Sequence, residues 1–293
     1  MKARIAKRGS VKGRQRTVAA APAAAKRKGA RRMSEIPPAV LRALNRGEEE
    51  TITLVEFLAV DVRALVRHAL RGAGLDAFVR PALAGVGRTL SQMETIALIG
   101  RNLFAAADAA GRVTEIREML ARHRSDTVRH FACMFVALDP RLTFAGKLRA
   151  IRPLAADPHM AVREMAWAAL REEVARDPAR AVRGLVSWTR SRDENLRRFA
   201  SEATRPRGVW TRHIEELKRD PDLGLPVLEP LKSDPSRYVQ NSVANWLNDA
   251  SKSAPGWVRD VCRDWERRSP TDATRFIVRR ALRTVRKGKR ASA

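Results

Sequence analysis

The sequence predicts an all-α fold, and three observations carry that expectation. From Ile36 onward nearly every stretch places its apolar residues at helical spacing, and strand-like alternation is absent. Ala, Leu and Arg fill these stretches, whereas Gly and Pro fall between them. One pattern, an acidic or Pro-containing turn followed by a helix, recurs along the second half of the chain. A single unit of this kind cannot bury its own apolar face, so the expected architecture is a stack of helical units.

In chain order, residues 1–33 read as a flexible basic arm, with AAAPAAAKRKGARR as its low-complexity core. Residues 34–282 form the helical domain. Within it SDTVRHFACMFVAL, DPHMAVREMAWAAL, SRDENLRRFASEAT, DPSRYVQNSVANWL and SPTDATRFIVRRAL align on Val128, Val162, Leu196, Val239 and Thr274. These positions lie 34, 34, 43 and 35 residues apart, the period of two-helix HEAT-like repeats in an α-solenoid superhelix. Asp-Pro turns suit such starts, since Asp accepts from free helix N–H groups and Pro tolerates the first turn. Residues 283–293 form a short basic tail.

Charge narrows the partner. Lys and Arg number 58 against 32 acidic residues, a net +26. The two ends supply 17 of this, leaving +9 on the body, so the body is basic without its tails. The arm reads as either a solvated tail or a DNA-holding segment, and its Arg-rich, acid-free composition also suits a transit peptide. A polyanion is the expected partner, nucleic acid before an acidic membrane surface. No apolar run reaches transmembrane length. Cys133 and Cys262 lie inside helical patterns and suggest a reducing compartment rather than a disulfide framework. Neither has metal-ligand spacing with the five histidines, and neither a Gly-rich phosphate loop nor a G-x-S-x-G elbow occurs, so no metal and no cofactor is expected.

Helical spacing sorts the faces of the units. In the second unit Val162, Met165, Ala166 and Ala169 form the apolar stripe, and Glu164, Trp167 and Arg171 share another face. In the third, Leu196, Phe199, Ala200 and Ala203 pack while Arg198, Ser201, Glu202 and Arg205 project elsewhere. In the fourth, Val239, Val243, Trp246 and Leu247 are core candidates, leaving Asn241, Asn245 and Asn248 on a polar row with Asp249 beside it. Glu164, Arg198 and Asn241 hold equivalent positions, so stacking should align them across a concave basic groove, suited to phosphate and sugar contacts.

The blocks HMAVREMAWAALR (159–171), NLRRFASEATRPRGVW (195–210) and DPSRYVQNSVANWLNDASKSAPGWV (234–258) resemble the bacterial DNA alkylation repair proteins of the AlkC/AlkD superfamily, and SEATRPR and SVANWLND resemble the AlkC branch. The resemblance implies a HEAT-like repeat glycosylase that excises cationic N3- or N7-alkylated purines from duplex DNA. It further implies that DNA distortion and groove contacts contribute more than base extrusion. Carried over by position, Glu164 is the first candidate for the catalytic carboxylate, Asp249 the second and Asp126 the third. Asp126 stands where the AlkC branch usually has Glu. Arg197, Arg198, Arg205 and Arg207 would grip flanking phosphates, with Arg163, Trp167, Asn241 and Asn245 as further DNA contacts. Trp188 and Trp210 could stack on a sugar or an unpaired base.

The residues also admit other readings. A Glu on a basic helix serves as a surface ion-pair partner, and Glu202 in particular could simply pair with Arg198 and Arg205. Trp246 fits its helix's apolar stripe and is read as packing. A non-catalytic module for damaged, bent or branched DNA would keep the arginines without a working carboxylate, and a protein–protein scaffold would use the same repeats. A cytoplasmic, nucleoid-associated bacterial monomer is expected.

Overall fold

A computed structural model describes residues 27–208 and 211–286. Among these residues there are seventeen α-helices and no strand. The N-terminal part comprises α1 (Pro38–Arg46), α2 (Leu54–Ala59), α3 (Val62–Gly72), α4 (Asp76–Ala82), α5 (Gln92–Ala109) and α6 (Val113–Ala121). The five aligned segments become α7 (Asp126–Leu138), α9 (Met160–Ala169), α12 (Glu194–Ala203), α15 (Arg237–Ala250) and α17 (Asp272–Ala281). Between them lie α8 (Phe144–Ala155), α10 (Arg171–Arg176), α11 (Pro178–Leu185), α13 (Glu215–Arg219), α14 (Leu225–Leu228) and α16 (Pro255–Arg268).

The aligned helices pack on one another in order, α7 on α9, α9 on α12, α12 on α15 and α15 on α17, forming one row. Helices α8, α11, α14 and α16 back that row. All five aligned positions, Val128, Val162, Leu196, Val239 and Thr274, are buried, so the sequence period is the packing period. Trp246 is fully buried, with its indole N–H donated to the Thr204 carbonyl at 2.9 Å, as its apolar stripe predicts.

The residue after each aligned position explains how neighbouring repeats are fastened. Arg129 donates to the carbonyls of His123 and Arg124, Arg163 to those of Asp157 and Pro158, and Arg197 to those of Ser191 and Arg192. Gln240 and Arg275 repeat the device on Asp234 and Pro270. Each side chain folds back over the turn that starts its own helix, satisfying carbonyls that no helix reaches.

The Asp-Pro turns differ from expectation in detail. Asp157 accepts from the His159 amide (2.7 Å) and Asp234 from the Ser236 amide (2.9 Å), each at the cap residue rather than inside the helix. Both carboxylates also bind the preceding repeat's arginine, Asp157 that of Arg129 (3.1 Å) and Asp234 that of Arg197 (2.6 and 3.0 Å). The Asp-Pro acids are therefore links between repeats. Asp193, Ser236 and Thr271 provide the helix caps.

The predicted arm boundary also shifts. Buried Glu56 accepts from Arg27 (2.5 and 3.0 Å), from the Ala30 amide (2.9 Å) and from the Ile52 amide (2.8 Å). Burial raises its pKa, but the Arg27 guanidinium and the two amides outweigh that and hold the carboxyl below its usual range. Arg27 and Ala30, inside the expected arm, are thus held on the helical body. Residues 1–26 of the arm and 287–293 of the tail lie outside the described residues.

Candidate functional site

Three successive row helices carry one continuous polar network. Glu164 on α9 pairs through Oε1 with Arg198 on α12 at 2.7 Å, and its Oε2 accepts the indole N–H of Trp167 at 3.0 Å. One turn further along α12, Glu202 lies 3.6 Å from Arg198 and accepts from Arg205 at 2.6 Å. Arg205 continues to Asp249 on α15, donating from Nε (2.9 Å) and Nη2 (2.7 Å) to one carboxylate oxygen. Lys252 closes the line at 3.4 Å from the other Asp249 oxygen. Of the expected line Glu164–Arg198–Asn241 the first two meet directly, Glu202 pairs with both Arg198 and Arg205, and Arg205 carries the network on to Asp249.

Burial separates the acids of this line. Glu202 and Asp249 have side chains 4 and 6% exposed, whereas that of Glu164 is 37% exposed. Ser242 donates to Glu202 at 2.6 Å and itself accepts from Ser201 at 2.8 Å, so the buried carboxylate has partners on both oxygens. Burial raises the Glu202 pKa, but Arg198, Arg205 and Ser242 prevail and hold it below the ordinary range. Burial likewise opposes charge on Arg198 and Arg205, and the surrounding carboxylates more than restore it, so both stay strongly basic.

An aromatic residue holds the two-arginine rim. The Tyr238 ring lies beneath Arg198 at 4.4 Å and Arg163 at 5.4 Å, and Arg163 Nε donates to its hydroxyl at 3.4 Å. Tyr238 is the chain's single tyrosine, and its position just before an aligned core residue was the available signal. On α17, Phe276 continues the Glu164–Arg198–Asn241 register and is flanked by Arg237 (3.7 Å), Arg280 (5.5 Å) and Arg279 (5.6 Å). Arg283 donates to Asn245 at 3.0 Å and lies near Arg205, whose charge adds to burial and Arg280 in lowering its pKa.

Several predicted residues are placed elsewhere or otherwise engaged. Asp126 is fully buried, with its oxygens accepting the Thr51 amide (3.0 Å) and hydroxyl (2.7 Å). Arg163 and Arg197 fold back on the turns that start their own helices, and Arg197 also binds Asp234 of the next repeat. Arg171, assigned by spacing to the Glu164 face, is buried and donates to the carbonyls of Ala203, Arg205 and Arg212, fixing the segment after α12. Burial pushes its guanidinium down to about 10, still cationic at neutral pH. Asn248 leaves the polar row and donates to Ala281 and Thr284 on the α17 side. Arg207 is half-buried and reaches the Asp249 carbonyl at 3.3 Å, and Asn241 is half-exposed beside Arg198's register. Trp188 is buried between Phe199, ring centroids 4.9 Å apart, and the Arg152 guanidinium at 5.4 Å, rather than open to a base. Trp210 lies outside the described residues.

The network can hold one partly solvated carboxylate, fixed in orientation by a guanidinium and an indole, amid cations able to meet phosphates. No group of three potential metal-binding side chains occurs among the described residues. Nor is any of their helices long and apolar enough to cross a membrane.

A family model described as "DNA alkylation repair enzyme" matches residues 92–285. An uncharacterized protein of Bacillus subtilis (strain 168), YhaZ, is 41% identical over 119 residues, which cover 41% of this chain and 33% of that protein. The structure of Pseudomonas fluorescens alkylpurine DNA glycosylase AlkC, bound to DNA containing an abasic site analog, superposes with a TM-score of 0.62 at 28% identity. It covers 83% of this chain and 62% of its own. AlkD2 from Streptococcus mutans superposes with a TM-score of 0.56 at 19% identity over 73% of this chain and 98% of its own, a likeness of fold. The chain thus spans about a third of the curated relative and under two thirds of the AlkC chain.

Proposed function

Because the chain belongs to the DNA alkylation repair enzyme family, we propose that it hydrolyses the N-glycosidic bond of cationic N3- or N7-alkylpurines in duplex DNA, with Glu164 as the catalytic carboxylate. The observation that carries this reading is the state of Glu164. It is the one acid of the α9–α12–α15 network with a substantially exposed carboxylate, and Arg198 and Trp167 fix both of its oxygens.

An alkylated purine carries a positive charge, so the bond to C1′ is already weak and the base can leave as a neutral species. Departure leaves oxocarbenium character on the sugar, and a fixed carboxylate beside it stabilises that charge without reorganisation. A water held by Glu164 then adds to C1′, the new C–O bond replacing the broken C–N bond, and its proton passes to Glu164 and on to solvent. Lys252 is engaged by Asp249 in this geometry, which fits a monofunctional hydrolysis without a Schiff base. Asp249, the second candidate, fits better as the anchor of Arg205. Phosphates flanking the lesion would meet Arg198, Arg205 and Arg207, with Asn241 and Asn245 beside them, and Trp167 would face the sugar with its ring while holding Glu164 with its N–H.

One observation favours the alternative of a non-catalytic module for damaged or bent DNA. Glu202 and Asp249 are both buried and paired with Arg205, so a single accessible carboxylate must carry all the chemistry. Release of free base from methylated duplex DNA decides between the two. Release by the wild type and its loss in Glu164→Gln, with DNA affinity kept, is the expected result. Tight, salt-dependent binding without release would replace the enzyme by the binding module.

A further inference from the structure

The helices that back the row carry a second concentration of positive charge, away from the Glu164 network. Residues 140–156, through α8, contain Arg141, Lys147, Arg149 and Arg152 and no acid. Residues 178–191, through α11, contain Arg180, Arg183 and Arg190 and again no acid. Between α8 and α11 lies a cleft of about 670 Å³ on which Arg149, Arg152, Arg180 and Arg183 converge. Gly184 lets the two helices approach, since a Cβ there would stand 3.0 Å from Leu148 Cδ1 and 3.2 Å from Phe144 Cε1.

The arginines are oriented as well as gathered. The Arg152 guanidinium lies 5.4 Å from the Trp188 ring centroid and that of Arg180 lies 5.1 Å from Phe144. A guanidinium lying over an aromatic ring can still offer its N–H edge to an anion, and Arg152, which no carboxylate engages, does so. Nearby acids are engaged at the margin, Glu173 by Lys147 and both Glu173 and Asp177 by Arg180. Arg149, Arg152 and Arg183 are exposed, and among the described residues no carboxylate pairs with them. Arg149, Arg152 and Arg183 thus gather like charge without a protein counterion, an arrangement that an external anion would relieve.

Its chemistry follows from what the cleft offers and withholds. The floor side chains Phe144, Leu148 and Trp188 are only 6, 5 and 5% exposed, so little apolar surface remains to anchor a peptide side chain. What remains is a set of guanidinium edges, suited to bidentate contacts with phosphate oxygens. Position excludes the same stretch of ligand as the Glu164 network. The cleft is lined by Thr143, α8, α11 and Trp188, and none of its lining residues belongs to the Glu164–Arg198–Glu202–Arg205–Asp249 network.

We propose that the Arg149–Arg152–Arg180–Arg183 cleft is a second phosphodiester-binding site, holding a separate DNA segment on the backing layer so that one molecule bridges two duplexes. This rests on the reading of DNA as the ligand of the row. A search enzyme with two such surfaces can transfer between DNA segments without full release, which shortens the search for rare lesions.

The test uses the full chain, a biotinylated 20-base-pair duplex on streptavidin beads and a fluorescent second duplex added after washing. A triple variant, Arg149→Gln, Arg152→Gln and Arg183→Gln, is compared with wild type, and its circular dichroism and Tm check that these exposed changes leave the fold intact. The expected result is capture of the second duplex by bead-bound wild type and at least a tenfold loss in the variant. Single-duplex affinity and base release should stay within about twofold. Equal capture by both proteins, or capture by neither when the first duplex is held, overturns the second site. Failure of wild type to hold the first duplex overturns the DNA reading itself. Fluorescent polyglutamate binding that wild type shows, the triple variant lacks and the second duplex does not match would assign the cleft to an acidic polypeptide instead.

Discussion

Helices α7 and α9 hold the same place in successive repeats, yet their acids have opposite fates. Asp126 opens α7 and Glu164 lies in the first turn and a half of α9, and sequence reasoning places both among the candidate catalytic carboxylates. In the structure the 49–53 segment lies over α7. Thr51 binds both Asp126 oxygens, Glu50 pairs with Arg129 at 2.5 Å, and the Thr51 carbonyl contacts His159 at 2.6 Å. Phe57 covers His130, ring centroids 5.6 Å apart, and His130 is the residue aligned with Glu164. Among the described residues no such segment covers Glu164, whose side chain is 37% exposed. The row is therefore sealed by the N-terminal helices at its first repeat and open from the second, and the same repeat position gives a core residue in one case and a reactive candidate in the other.

Charge removal at the two acids should break or uphold that contrast most strongly. Glu164→Gln is expected to lower base release by about a hundredfold or more, the scale of one lost electrostatic contact to a transition state. Single-turnover rates on methylated duplex DNA measure it. Asp126→Asn should leave that rate within about twofold per folded molecule and lower the urea midpoint instead. A hundredfold loss in Asp126→Asn would erase the distinction between the repeats.

Next in size is the buried link between the open repeats. Glu202→Gln leaves Arg198 and Arg205 without their shared buried partner, at an expected cost of about 3 kcal/mol in urea unfolding. Arg198 and Arg205 would remain beside Glu164 and Asp249, so DNA binding by the folded fraction should persist.

The sealed repeat should also show itself in pH dependence. Burial, the largest cause, pushes His130 down to about 4. An unfolded histidine titrates near 6.5, so the unfolded chain takes up the proton first. This contribution is intact above pH of about 6.5, declines as pH falls, and reaches its full loss near the folded value, at about 3 kcal/mol. His130→Phe should flatten the stability curve between about pH 6.5 and 5.5, above the range of about 4.3 in which the carboxylates of the unfolded chain take up protons. An unchanged slope there would mean that His130 is not sealed from solvent.

The smallest expected effect concerns the indole that orients Glu164. Trp167→Phe removes one hydrogen bond, worth about 1 kcal/mol, so base release should fall about fivefold with Tm nearly unchanged. A fall as deep as that of Glu164→Gln would move Trp167 from positioning the carboxylate to contacting the DNA itself.

The order of helices was legible because burial imposes a period. Each aligned aliphatic residue must face the neighbouring repeat, so Val128, Val162, Leu196 and Val239 reveal the stack without coordinates. The Glu164–Arg198 contact was legible for the same reason, since equal positions in adjacent repeats are neighbours in space. Function classes followed from charge and from three motif blocks.

What only the tertiary structure decided is which polar side chains remain free. Arg171, Arg197, Asn248 and Asp126 share composition and helical spacing with residues that stay available, but each meets a loop or helix distant in sequence. Spacing fixes the direction in which a side chain leaves its own helix. Whether it then meets water, a carbonyl or an opposite charge depends on the segment folded over it, and no local pattern encodes that contact.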